Sequence, residues 1–154
     1  MPMTHGTAWG ALILRVVLGV IFIMHAYLGY AVVTPKGMTA LLARMGIPSA
    51  LLLVLAWYIV IAHAAGGVLM IVGLWTRLAA LLNIPIMFGA VAMLHYAQGF
   101  FMKGVIVDAA AGRAIVAGYE FPLLVLACTV AVALIGAGPL SVDHQRRAAS
   151  GRRR

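Results

Sequence analysis

Charged side chains are scarce: Asp, Glu, Lys and Arg make up 9% of 154 residues. A soluble domain carries about a quarter, so a water-soluble enzyme is excluded. The low polarity excludes intrinsic disorder as well. Cysteine is almost missing. A single thiol, Cys128, forbids an intramolecular disulfide and any cysteine-rich metal or iron–sulfur centre. Several motifs are missing too. There is no HExxH, no GxSxG, no P-loop and no GxGxxG after a strand, so hydrolase and nucleotide-binding chemistry lack their parts.

What is present is apolar. Hydrophobic residues make up 65% of the chain, and mean hydropathy is +1.10. These values imply an integral membrane protein, and a chain of this length has room for at most about five spans of about 20 residues. Four apolar runs emerge, at about residues 9–33, 50–74, 78–96 and 119–137. The first is too long for a signal-peptide core and follows no basic segment, so it is expected to be a retained span. Between the first two, Thr34-Pro35-Lys36-Gly37 reads as a break, and Met38 to Met45 as a short interfacial amphipathic stretch. Pro48 and Ser49 are helix-start chemistry. Asn83 and Pro85 predict a bend in the third span. Residues 98–118 form a longer connection, and Gly138-Pro139 ends the fourth span. The expected fold is all-α, a four-helix transmembrane bundle over residues 1–140, followed by a mobile basic tail at 141–154.

Basic residues outnumber acidic ones by 11 to 3, for a net charge of +8. In a soluble protein that excess would point to nucleic acid. Here the basic residues lie mostly between and after apolar runs, which fits membrane topology and anionic headgroups instead. With four spans, Arg15, Arg77 and the five tail arginines share one side. Lys36, Arg44, Lys103 and Arg113 share the other. Seven against four places both termini in the cytoplasm of a plasma-membrane protein. Trp9 and Trp75 mark one interface, and Tyr30, Tyr96 and Tyr119 mark the other.

Ionisable groups within hydrocarbon are costly and are functional candidates by default. His25, His63 and His95 qualify. At 1.5 Å per residue, His25 lies about 24 Å along its span, His95 about 25 Å and His63 about 20 Å. His25, His95 and Glu120 therefore fall in one outer layer as candidate proton and hydrogen-bond groups, with Tyr58 and Tyr96 near that depth. In the second span, Ala56, His63, Gly66, Gly67, Met70 and Gly73 form one stripe, a small-residue face suited to close helix packing. In the third, Asn83, Met87, Val91 and His95 share a face. Each has a purely structural alternative: a histidine can bond a carbonyl of a neighbouring helix, and Glu120 can complement a helix N-terminus. Haem ligation by two histidines is open on spacing alone. No metal site is otherwise indicated.

The stretches LRVVLGVIFIMHA, GLWTRLAAL, HYAQGFF, GYEFPLLVLA and GPLSVD, in this order, resemble the DoxX family of small four-span membrane proteins. The resemblance implies a subunit tied to redox chemistry, because relatives include the membrane subunit of a thiosulfate:quinone oxidoreductase and parts of thiol- and oxidative-stress complexes. It implies quinone as the ligand and other membrane or peripheral redox subunits as partners, with self-association open. By carry-over, Arg15, His25, Arg77, His95 and Glu120 take family-like polar positions. Together with His63, Tyr58 and Tyr96, Arg15, Arg77 and His25 form the candidate cofactor-binding set. Two departures stand out. Gly29 and Tyr30 replace a lysine that often follows the first-span histidine. His63 stands where members often carry a glutamate. A non-catalytic anchoring subunit is the alternative function.

Overall fold

The computed structural model describes residues 5–101, 107–108, 113–114 and 117–151. Helix α1 spans His5–Tyr27 and continues as a π-helical turn over Leu28–Val32. Helix α2 is Thr34–Arg44, α3 is Ser49–Val72, and α4 is Thr76–Gly89. Helix α4 runs on as a π-helical turn, Ala90–His95, and a 3-10 turn, Tyr96–Gln98. Helix α5 is Glu120–Ile135 and α6 is Val142–Gly151. Within the third connection, Val107–Asp108 pairs antiparallel with Arg113–Ala114. Residues 102–106 (Lys103 among them), 109–112 and 115–116 of that connection, and Arg152 to Arg154, lie outside the described residues.

Three helices are long and apolar enough to cross a membrane: His5–Val32, Ser49–Val72 and Thr76–Gln98. The fourth expected span is an apolar helix of 16 residues. Each presents one face to protein and another outward. On α1, Ala11, Arg15, Leu18, Phe22 and Ala26 are buried, while Ile13, Val17, Val20 and Met24 are exposed. Both stripes follow three- and four-residue steps. An exposed apolar stripe of this length suits lipid rather than water.

The expected break at Thr34 to Gly37 is instead the first turn of α2. Thr34 turns the chain with φ +65°. Its Oγ1 then accepts from the Gly37 N–H at 3.3 Å, and Pro35 sits where no N–H is needed. The tail expected to be a mobile basic segment is helical over Val142–Gly151.

Helices α1 and α3 pack closely, and α4 packs on both α3 and α5. The α1–α3 crossing depends on glycine. A Cβ on Gly19 would lie 2.6 Å from the Gly67 carbonyl oxygen, and one on Gly67 would lie 2.6 Å from that of Gly19. The core of Leu18, Phe22, Met70, Ala79, Ala80, Val125 and Val132 fills the centre.

Each end of the bundle has its own junction. At one end, α3 stops at Gly73, whose φ is +74°. Arg15 crosses to the chain after α5, where its Nη1 donates to Ala137 O at 2.9 Å and its Nη2 to Leu140 O. Asp143 accepts from the Trp75 N–H at 2.8 Å and the Thr76 N–H at 3.0 Å, capping α4 from a distant part of the chain. Burial raises the Asp143 pKa, but these two N–H bonds and Arg147 outweigh it and hold the carboxyl below its ordinary value. At the other end, the Tyr119 and Glu120 N–H groups donate to Gly99 O and Phe100 O, both at 3.0 Å. Tyr96 stacks on Tyr119 there.

Candidate functional site

The second junction adjoins the polar side chains that matter most. Pro85 interrupts α4 because it lacks an N–H and its ring presses on the preceding turn. Tyr58 of α3 donates to Leu82 O beside that interruption, at 2.6 Å. Beyond it α4 relaxes into its π-helical turn, as α1 does after Tyr27. Such turns change the phase of a helix and recur at functional sites. Here one π turn ends at His95 and the other begins three residues after His25.

Between these turns lies a cavity of about 630 Å³. His25, His63, His95 and Tyr58 all line it, with an otherwise apolar wall including Phe22, Met38, Met87, Met93 and Phe121. The helices therefore gather all three intramembrane histidines around one space. His25 is exposed on its wall, His95 half-buried and His63 buried. The His25 and His63 rings meet edge to face, with centroids 6.3 Å apart.

Each ring is oriented from behind. His25 Nδ1 lies 2.8 Å from Ile21 O, one turn earlier on α1. His95 Nδ1 lies 2.6 Å from Ala117 O. His63 Nδ1 lies 2.6 Å from Asn83 Oδ1. Asn83 is fully buried, and its amide nitrogen donates to Ala62 O and Ala79 O, at 3.1 and 2.8 Å. That assignment leaves Oδ1 as the acceptor facing His63. Asn83 was legible as a polar residue on the His95 face, but its role in orienting His63 was not. The signal was its place on the facing span, readable only once the packing is known.

The remaining candidates lie elsewhere. Glu120 opens α5 as expected and is half-buried, but the cavity wall in this helix is made by Phe121, Pro122 and Val125. Tyr96 belongs to the aromatic junction above. Arg15 is committed to the carbonyls of Ala137 and Leu140 at the opposite end. Arg77 donates to Leu134 O at 3.1 Å there and lines a smaller pocket of about 340 Å³ with His144 and Arg147. Among the described residues, no group of three or more His, Cys, Asp or Glu converges tightly enough to hold a metal ion.

The DoxX family model matches residues 10–96, more than half of the chain. The chain belongs to the DoxX family. No curated protein and no solved structure matches it. The matched part of this DoxX protein carries His25, Tyr58, His63, Asn83 and His95, so the histidine layer lies within the family region. Helices α5 and α6, which complete the bundle, lie beyond it.

Proposed function

We propose that this DoxX protein is a membrane-embedded subunit of a quinone-linked oxidoreductase or thiol-stress complex, and that its histidine cavity binds the quinone-type ring. The observation that carries the reading is the convergence of three imidazoles on one apolar cavity of about 630 Å³. A quinone needs an apolar slot with a few hydrogen-bonding, proton-exchanging groups. His25 and His95 supply them at either side, and His63 lies deeper. Glu120, in the first turn of α5, exchanges protons with the aqueous phase. Electrons pass to or from a redox group on an associated subunit.

The protein works as four crossings in the plasma membrane, both termini cytoplasmic. Support comes from the arginine end, where Arg15, Arg77 and Arg147 cluster, while Lys36 and Arg44 lie on α2, which packs on α3 and lines the histidine cavity. Helix α5 rises only about 24 Å, short of a hydrocarbon core of about 30 Å. The following chain can complete the crossing, because Arg77 and Arg15 satisfy the carbonyls of Leu134, Ala137 and Leu140. Irregular backbone is tolerated at membrane depth when it is paired in this way.

The test is quinone content and turnover of the protein extracted with its partners in mild detergent. Wild type is expected to retain quinone stoichiometrically. His25→Ala and His95→Ala are each expected to lower turnover at least about tenfold with helicity unchanged. Unchanged content and turnover in both variants would remove the cavity from the mechanism.

A second reading, haem ligation, is favoured by the orientation of the His25 and His63 rings. Each turns Nδ1 to an oxygen acceptor, as ligating histidines do. A Soret band in the purified protein would support it, and a colourless preparation that still holds quinone would contradict it.

A further inference from the structure

We infer that the cavity selects the reduced, dihydroxy form of its quinone-type ligand over the dicarbonyl form. This rests on the proposed quinone site and adds which redox state the protein holds.

The argument begins with protons. A carbonyl oxygen can only accept, so the contacts of His25 with Ile21 O and of His95 with Ala117 O require a proton on Nδ1. The third contact behaves in the same way. Asn83 uses its amide nitrogen on two carbonyls, so Oδ1 faces His63, and Nδ1 of that ring is the donor. All three rings therefore carry the same tautomer, each fixed by an acceptor behind it.

A neutral imidazole with its proton on Nδ1 has a lone pair on Nε2. Among the described residues no partner meets any of the three Nε2 atoms, and no acidic side chain lines the cavity. All three rings line the cavity, and the Nδ1 contacts tie up the other nitrogen of each. The other polar group on the wall, the Tyr58 hydroxyl, has given its proton to Leu82 O. The cavity thus offers acceptors to its ligand and almost no donors.

A hydroquinone brings two O–H donors and matches that surface. The corresponding quinone brings two carbonyl acceptors and would set lone pair against lone pair on a largely apolar wall, where an unmet polar group is costly.

The test uses the full chain in mild detergent under anaerobic conditions, with three probes of one shape: durohydroquinone, duroquinone and the dimethyl ether of durohydroquinone. The dihydroxy probe is expected to bind at least about tenfold tighter than the other two, the scale of one or two hydrogen bonds. His25→Gln and His95→Gln, which put an amide donor near the Nε2 position, are expected to shift the ratio toward duroquinone. Asn83→Asp, which favours a proton on both nitrogens of His63, should shift it the same way.

Equal affinity for the dihydroxy and dicarbonyl probes in wild type would overturn the selection while leaving a quinone-type site standing. So would a dimethyl ether that binds as tightly as durohydroquinone. Failure of all three probes to bind would remove the quinone reading and the selection with it. If one substitution prevents folding, the probe series on wild type and the remaining variants still decide.

Discussion

At the residue scale, the buried polar side chains divide into two kinds of work. Arg15 is 2% exposed and serves two carbonyls of the chain after α5. Replacing it with Met leaves those carbonyls unmet, each at about 1–3 kcal/mol. Arg15→Met is therefore expected to lower stability by roughly 2–4 kcal/mol, read as a lower unfolding midpoint in detergent. Arg15→Lys should fall between, because an ammonium does not reproduce the guanidinium fork. Asp143 acts through charge. Its carboxyl is held below the ordinary range near 3.9, so its contribution is complete above about pH 4 and is lost as pH falls through the lowered value. Wild type is expected to lose stability over that acid window more steeply than Asp143→Asn, with the two curves parallel at neutral pH. Parallel curves at acid pH as well would remove the cap. The polar character of these positions was legible in the sequence. Their use was not, because Arg15 meets partners more than 120 residues away, and no local pattern encodes such a contact.

At the element scale, apolar run length gave the helices, and packing chemistry refined their ends. The stripe of small residues on the second span reads directly as the buried face of α3, where Ala56, His63, Gly66, Gly67 and Met70 are all enclosed. The Gly19–Gly67 approach explains why smallness is needed. Gly67→Val is expected to separate α1 from α3 at a cost of about 1–3 kcal/mol, the scale of overpacking in a filled core. Thermal unfolding measures that cost, and an unchanged midpoint would mean the helices can part without loss. Thr34 to Gly37 misled because proline and glycine usually punctuate loops. Here the chain turns at a single residue, Thr34 at φ +65°, and proline occupies a first helical turn. The π-helical turns were not legible either. They carry no residue signature and arise where α1 and α4 settle around the cavity.

At the scale of the whole molecule, the stretches that resemble the DoxX family become two junctions and a layer between them. GLWTRLAAL meets GPLSVD through Asp143 and Arg15. HYAQGFF meets GYEFPLL through Gly99, Phe100 and Tyr119. With both ends tied, α1, α3 and α4 hold His25, His63 and His95 around one space. The depth of the histidines is legible from their positions in the apolar runs, but only the packed helices bring them to a common wall. The most direct test of that claim is photolabelling of the full-length protein in membranes with an azido-quinone, followed by peptide mapping. Label is expected on segments containing His25, Tyr58, His63 and His95, and excess unmodified quinone should remove it. Label confined to the outward stripe of Ile13, Val17, Val20 and Met24, undiminished by competitor, would contradict the account.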